Sequence, residues 1–326
     1  MYDKFMEKLV YNMFITGTGE FLTSALKKGL GGVIFFTRDI QSKEQFIGLI
    51  NDIKKQSSKQ LFFSIDQEGG RVERTENIHE RYLSPRTAFS KGEHFLKTQT
   101  EKIAQELREY GINLNFAPCA DVNTNPNNPI IGERAFADNP DDVIKGIKIV
   151  TEVYRRNGII PCIKHYPGHG DADKDSHLTL PVIDLPLSEM EKIHIRPFRD
   201  AVIGGAEMIM AAHLHCTCFD KKTIPSSLSK NAIGYLRKNL GFNGVIISDD
   251  MVMKGVQDYG SFEAVVKGIN AGLDMFIFRD CNEEVINTAE KLIEFSENNE
   301  NMRNKIIQAN ERIIKLQNLL AEMANN

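Results

Sequence analysis

Eight short apolar runs, rich in β-branched and aromatic residues, recur along the chain of 326 residues. Each run is continuous rather than alternating with polar residues, which is typical of parallel strands covered by helices. The runs occupy residues 10–16, 32–36, 61–65, 113–118, 159–164, 207–212, 244–248 and 274–278. We therefore predict eight buried parallel strands.

Amphipathic segments with helical spacing separate these runs, at residues 43–56, 97–110, 140–156, 188–203, 229–239 and 261–271. Glycines such as Gly111 and Gly272 follow several of them, as in loops that return a helix to a strand. Alternating strands and helices predict an α/β fold, a (β/α)8 TIM-type barrel, because no G-x-G-x-x-G follows the first strand. No linker divides the chain, so we expect residues 1–326 to form a single barrel domain, with 301–326 a C-terminal helix packed on it.

The composition excludes several classes of protein. The 40 Lys and Arg residues against 44 Asp and Glu residues leave a net charge of −4, without the basic excess typical of nucleic-acid binding. No apolar stretch is long enough to span a membrane, and the N-terminus lacks the layout of a secretory signal. The 5 cysteines are too few for a disulfide framework in a chain of this length. We therefore expect a cytoplasmic protein with reduced cysteines.

Polar side chains directly follow most of the predicted strands. The strand-end sequences are Asp66-Gln-Glu-Gly-Gly-Arg71, Lys164-His165, His213-Leu-His215 and Asp249-Asp250. In a barrel these positions meet at the C-terminal mouth, where active sites are built. Because side chains alternate along a strand, we expect only one of Asp249 and Asp250 to face the pocket. That carboxylate could act as a nucleophile, a base or a metal ligand.

A long loop at residues 165–187 is rich in histidine and aspartate. A calcium loop starting at Asp171 is excluded, because Ser176 and Val182 stand where glycine and an acid are required. A zinc site built from His213, His215, Lys164 and Asp249 remains an alternative. The other interpretation is an acid/base dyad of Asp175 and His177, which would suit sugar-bond cleavage with Asp249 as the second carboxylate.

Five motifs in sequence order resemble glycoside hydrolase family 3, over roughly residues 10 to 280. They are Asp66-Gln-Glu-Gly-Gly-Arg-Val-Glu-Arg74, Asn115-Phe-Ala-Pro118 with Asp121-Val122, Gly132-Glu-Arg-Ala-Phe136, Lys164-His-Tyr-Pro-Gly-His-Gly-Asp171 through Asp175-Ser-His177, and Ser248-Asp-Asp-Met251. The resemblance implies that Asp249 is the nucleophile and that His177 is the proton donor, with Asp175 as its partner. It further implies that a group of polar residues holds the sugar, namely Asp66, Arg74, Arg134, Lys164 and His165.

Ser248-Asp-Asp resembles the hexosaminidase branch of this family more than its β-glucosidase branch. We therefore expect a retaining exo-β-N-acetylglucosaminidase that acts on muropeptide or chito-oligosaccharide fragments without a metal or cofactor. The alternatives are a β-glucosidase or phosphorylase of the same family, a metal-dependent barrel hydrolase, and a sugar-binding protein without turnover. Four other histidines are expected to be ordinary surface or loop residues: His79, His94, His169 and His194.

Overall fold

The computed structural model describes residues 3–172 and 180–325. The strands in that part of the chain are β1 (Phe14–Thr16), β2 (Gly32–Phe35), β3 (Phe62–Ile65), β4 (Leu114–Asn115), β5 (Ile160–Tyr166), β6 (Val182–Ile183), β7 (Met208–Ala211), β8 (His215–Cys216), β9 (Val245–Asp250) and β10 (Met275–Phe278). Eight of them form a closed parallel barrel in the order β1-β10-β9-β7-β5-β4-β3-β2. The strands β6 and β8 pair separately beside the barrel.

Helices surround this barrel. They are α1 (Lys4–Asn12), α2 (Leu22–Lys28), α3 (Lys43–Lys55), α4 (Pro85–Ser90), α5 (Glu93–Tyr110), α6 (Pro140–Arg156), α7 (Leu187–Lys192), α8 (Arg196–Ile203), α9 (Lys230–Gly234), α10 (Lys254–Gln257), α11 (Ser261–Ala271), α12 (Glu283–Glu297) and α13 (Glu300–Asn325). In the described part of the chain, none of these helices has the length and apolarity that crossing a bilayer requires.

The predicted (β/α)8 barrel is confirmed, and each of the eight predicted runs overlaps one barrel strand, although β5 and β9 extend beyond their runs to Tyr166 and Asp250. Local signals set the helix ends. Asn139 caps α6 by accepting the Asp142 N–H, while Gly111 ends α5 at a φ of 97°, a conformation that favours glycine. The sequence therefore specifies where these helices start and stop.

Several element boundaries differ from the prediction, and two of these differences change the assignment of a segment. Residues 10–12 belong to α1 rather than to the first strand. The single helix predicted at 188–203 is two helices, α7 and α8. Pro197 lies in the first turn of α8, where its missing N–H costs nothing, whereas inside a continuous helix it would remove a hydrogen bond.

The C-terminal helix α13 packs against α1, α11 and α12 and contacts the barrel at β9. A buried carboxylate, Asp274, joins this helix to the barrel. Asp274 is 0% exposed and accepts from Arg312 of α13 at 2.9 Å, from Arg237 at 2.5 Å and from the Ile246 N–H at 2.8 Å. Arg237 and Arg312, which both bind Asp274, are about 75 residues apart in sequence. This buried carboxylate therefore joins two distant segments of the chain.

We expect Asp274→Asn to destabilise the protein by about 3 kcal/mol, because it leaves two partly buried guanidinium groups without their counter-charge. Urea denaturation followed by circular dichroism measures this change. The matched control is Asp52→Asn, which removes an exposed i,i+3 pair with Lys55 and should cost less than about 0.5 kcal/mol. Equal midpoints for the two variants would contradict a structural role for Asp274.

Candidate active site

The carboxyl ends of the barrel strands surround a cavity of about 160 Å³. Six residues predicted from the sequence lie on its wall: Asp66, Arg74, Arg134, Lys164, His165 and Asp249. They come from four places in the chain, namely the segment after β3, the long loop after β4, and the strands β5 and β9. Barrel closure brings all six together, because parallel strands direct their carboxyl ends to one mouth. The two remaining predicted residues, Asp175 and His177, lie outside the described residues.

A buried ion network supports one side of the cavity. Lys164, whose side chain is 2% exposed, contacts Asp66 Oδ1 and Glu68 Oε1, each at 2.7 Å. Arg134 binds the same Glu68 carboxylate with two nitrogens, at 2.8 and 2.9 Å. Burial opposes ionisation of Glu68, but the charges of Arg134 and Lys164 outweigh it and hold the pKa of this carboxyl well below its usual value. Every charge in the network therefore has a partner.

The imidazole of His165 is fixed in one tautomer by its neighbours. Arg134 Nη2 lies 3.2 Å from His165 Nε2. Because a guanidinium group only donates, this Nε2 must be the acceptor, so the ring proton is on Nδ1. His165 Nδ1 then donates to Asp121 Oδ2 at 2.7 Å, and Asp121 Oδ1 accepts the His169 N–H at 2.6 Å. Asp121 thus orients both the imidazole and the loop that follows β5.

Asp249 is the cavity carboxylate at the end of β9. Its Oδ1 accepts the Asp250 N–H at 2.8 Å, which leaves Oδ2 without a hydrogen bond from the described residues. Burial raises the pKa of the Asp249 carboxyl, but interactions with His165 and His213 outweigh burial, and the net shift is downward. An ionised carboxylate with one free oxygen has the form required of a nucleophile.

Both members of the Asp249-Asp250 pair line the cavity, so the prediction that only one faces it is wrong. The reason is that β9 ends there, and the Asp250 side chain turns to Arg279, whose Nε donates to Asp250 Oδ2 at 2.6 Å. Asp250 Oδ1 also accepts the Val252 N–H at 3.2 Å. The two carboxylates still differ in kind, since Asp250 is paired with a cation.

The alternative zinc site is not assembled. Within residues 3–172 and 180–325, Cys119, Asp121 and His165 are the one group of three ligand-type side chains whose donor atoms lie within 4.8 Å of one another. That group excludes His213, His215 and Asp249. The Nδ1 of His213 lies 2.7 Å from Ser227 Oγ, and the Nδ1 of His215 lies 3.2 Å from the Ile224 carbonyl. Each histidine has a structural hydrogen bond instead.

Sequence reasoning missed several residues of the site. Glu68 and Asp121 stand inside the quoted motifs but had no assigned role, and Arg279 directly follows β10, which is the strand-end signal used for the other residues. His169 and His194, predicted to be ordinary surface or loop residues, lie in loops but are buried, at 3% and 1% exposure. Burial lowers the pKa of His169 to about 4, so its ring is neutral at physiological pH. No local pattern reveals such burial, because it arises from packing between distant loops.

The chain is similar to known glycoside-cleaving proteins. Residues 18–316 match the profile described as Glycosyl hydrolase family 3 N terminal domain. The chain is 33% identical to beta-hexosaminidase of Tolumonas auensis over 78% of its own length and 76% of that protein, and 33% identical to beta-hexosaminidase A of Pseudoalteromonas piscicida over 76% and 45%. A family 3 beta-N-acetylglucosaminidase from Paenibacillus superposes with a TM-score of 0.92 at 27% identity, over 97% of this chain and 62% of that one. The chain thus spans less than half of the Pseudoalteromonas protein.

The buried network generates a prediction about pH. Because the folded-state pKa of Glu68 lies below its usual value of 4.5, its contribution to stability is present above about pH 4.5 and is lost as the pH falls toward the folded-state pKa. We expect Glu68→Gln to lower stability at pH 7 by about 3 kcal/mol and to flatten the loss of stability on acidification. Thermal unfolding between pH 3 and pH 7, a range of about four units set by carboxyl titration, measures both effects.

The matched control for that experiment is Glu263→Gln, which removes a surface i,i+4 pair with Lys267. Its unfolding temperature and its acid dependence should follow the unmodified protein. An acid profile for Glu68→Gln that parallels the unmodified protein would contradict the assigned ionisation of Glu68.

Proposed function

The chain belongs to glycosyl hydrolase family 3, and on that premise we propose that it is a retaining exo-β-N-acetylglucosaminidase. Asp249 is the proposed nucleophile, and His177 with Asp175 the proposed acid/base dyad. The observation that carries the proposal is the inner cavity at the barrel mouth, which Asp249 lines together with the cations and the carboxylate expected to hold a sugar. Membership of the family supports a glycoside hydrolase activity. The specific substrate and the residue roles are our proposal.

Cleavage would proceed in two steps. Asp249 attacks the anomeric carbon while protonated His177 donates its proton to the leaving oxygen, which forms a covalent glycosyl-enzyme. Neutral His177 then removes a proton from water, and the water displaces Asp249 from the anomeric carbon. The lowered pKa of Asp249 keeps its carboxylate ionised for the first step. No metal or cofactor is needed for either step.

The sugar-holding set suits a ring that carries several hydroxyl groups. Lys164 and Arg134 supply N–H donors, and Asp66 supplies acceptor oxygens. Because Glu68 pairs with both cations, their positions are defined before substrate arrives. Preorganised donors of this kind stabilise the charge that develops in the transition state.

The relatives support N-acetylglucosamine as the sugar, since they carry the names beta-hexosaminidase and beta-N-acetylglucosaminidase. We propose that the natural substrates are small cell-wall muropeptides or chito-oligosaccharides, and that residues 1–326 form the single catalytic barrel domain. We also propose a cytoplasmic location in peptidoglycan recycling. The free cysteines, of which Cys119, Cys162, Cys216 and Cys281 are buried, suit a reducing compartment.

Replacing Asp249 tests the nucleophile. We expect Asp249→Asn to lower kcat/KM for 4-nitrophenyl β-N-acetylglucosaminide by at least about 10⁴-fold, because an amide cannot form the covalent intermediate. The exposed Asp258→Asn serves as the matched control and should retain normal turnover. Mass spectrometry after incubation with a slow 5-fluoro glycosyl fluoride should locate the adduct on Asp249, and an adduct on another side chain would overturn the assignment.

A substrate panel separates the alternatives. We expect turnover of the N-acetylglucosaminide to exceed that of the matched glucoside and to be unchanged by EDTA. A preference for the glucoside would identify a β-glucosidase, and loss of turnover with EDTA would identify a metal-dependent hydrolase. Sugar 1-phosphate formed in phosphate buffer would identify a phosphorylase.

The proposed acid role of His177 makes a separate prediction. His177→Ala should reduce kcat/KM most for substrates with poor leaving groups, because an activated aryl group needs little protonation. A series of aryl N-acetylglucosaminides whose phenols differ in pKa measures this dependence. Equal losses across the series would contradict the acid role and leave the nucleophile assignment intact.

A further inference from the structure

A second cavity, of about 330 Å³, opens beside the first at the barrel mouth. It is lined by Phe36, Thr37, Arg38, Arg74 and Arg279. Three of these residues, Phe36, Arg74 and Arg279, also line the cavity that contains Asp249, so the two spaces are adjacent. Among the described residues, no acidic side chain lines the second cavity, although three arginines do. We call this space the arginine pocket.

Neighbouring groups hold the three guanidinium groups in place. Arg38 Nη2 donates to Asp280 Oδ1 at 2.5 Å and to the Arg279 carbonyl at 2.7 Å, while Arg279 Nε donates to Asp250 at 2.6 Å. The Phe36 ring lies 5.3 Å from the guanidinium carbon of Arg38 and 5.8 Å from that of Arg74. These contacts reduce the side-chain entropy that a ligand would otherwise have to remove.

The same contacts leave N–H donors unused. An arginine has five of them, and the described residues engage only Nε of Arg279 and only Nη2 of Arg38. Among the described residues, the buried Arg74 Nε has no hydrogen-bond partner, and Asp66 pairs with this side chain at 3.8 Å from Nη2. A buried donor without a partner is costly unless a ligand supplies an acceptor.

We propose that the arginine pocket binds an anionic group, a carboxylate, on the leaving-group side of the glycoside. This inference rests on the proposed function, since it takes Asp249 as the group beneath the anomeric carbon. With the sugar in the inner cavity, the leaving group extends toward the mouth, where the arginine pocket lies. The carboxylates that pair with these arginines, Asp280 and Asp250, do not line the pocket, so its surface presents donors rather than acceptors.

A carboxylate fits this pocket better than a neutral hydroxyl group does. Planar guanidinium groups bind carboxylates with two parallel hydrogen bonds, and such charge-assisted bonds are about twice as strong as neutral ones. Free phosphate also presents anionic oxygen acceptors to a guanidinium group. Competition by phosphate distinguishes a carboxylate on the leaving group from free phosphate.

The test uses two substrates that differ in one charge, the 3-carboxyphenyl and 3-carbamoylphenyl β-N-acetylglucosaminides. We define the charge preference as the ratio of kcat/KM for the first to kcat/KM for the second. Arg279→Gln and Arg38→Gln should each lower this ratio by about tenfold. Arg279→Lys should retain more of the preference than Arg279→Gln, since it keeps the charge. The ratio in the unmodified enzyme should also fall as salt is raised.

The matched control is Arg156→Gln, an exposed arginine at the end of α6 that pairs with Glu152, and its ratio should equal that of the unmodified enzyme. Binding of the uncleavable S-linked analogues, measured by calorimetry, repeats the comparison without turnover. A ratio that is unchanged in both Arg279→Gln and Arg38→Gln would overturn the arginine pocket as an anion site, while turnover of the carbamoyl substrate would still support the proposed function.

A second experiment uses inorganic phosphate as a competing anion. Phosphate that weakens binding of the carboxylate analogue, with free N-acetylglucosamine as the sole sugar product, supports the proposal. Arginine-dependent formation of the sugar 1-phosphate would mean that the pocket takes free phosphate and would overturn the leaving-group assignment. If neither O-linked substrate is cleaved but the S-linked carboxylate binds through Arg279, the proposed function fails and the anion site stands. If neither analogue binds, both fail.

Discussion

The pairing of buried charges around Glu68 is the constraint on which the site depends. An ionised group without a partner is very costly away from water, so Lys164 and Arg134 must both reach the one buried carboxylate. Glu68 follows β3, Lys164 lies on β5, and Arg134 belongs to the loop after β4. Their mutual contacts therefore determine how this loop folds back over the mouth. Asp66, held by the other side of Lys164, takes its position in the cavity as a consequence.

The barrel makes this network achievable. Because β3 pairs with β4 and β4 pairs with β5, residues almost 100 positions apart end at the same rim. The same geometry brings Asp249 to this rim, since β9 lies across the closed barrel from β3 and is separated from β5 by β7 alone. Lys164, His165 and Asp249 lie on strands, so the spacing among these three does not depend on the flexibility of long loops. Asp66, Glu68 and Arg134 lie in the loops that follow β3 and β4, and the buried ion pairs hold them at the rim.

The mouth of the barrel combines two kinds of charge arrangement. In the inner cavity the charges of Lys164 and Arg134 are balanced by Asp66 and Glu68, which leaves a nearly neutral surface suited to hydroxyl groups. In the arginine pocket, each guanidinium group keeps N–H donors that no described residue accepts. The inner cavity is thus nearly neutral, and the arginine pocket is rich in hydrogen-bond donors. This difference would let one enzyme hold an uncharged sugar beside Asp249 and a charged group in the arginine pocket.

The sequence by itself was sufficient for the barrel, its strand order along the chain and six polar residues of the cavity wall. Periodicity, capping residues and glycines act over a few neighbouring residues, so the sequence alone reveals them. Polar residues directly after predicted strands identified Asp66, Lys164, His165 and Asp249. Only the tertiary structure decided that Glu68 is the shared partner of two cations, that His169 and His194 are buried, and that Asp250 turns to Arg279. These features depend on pairings between side chains that are distant in sequence. Such pairings are set by barrel closure and by the cost of leaving a charge unpaired, and no local pattern encodes them.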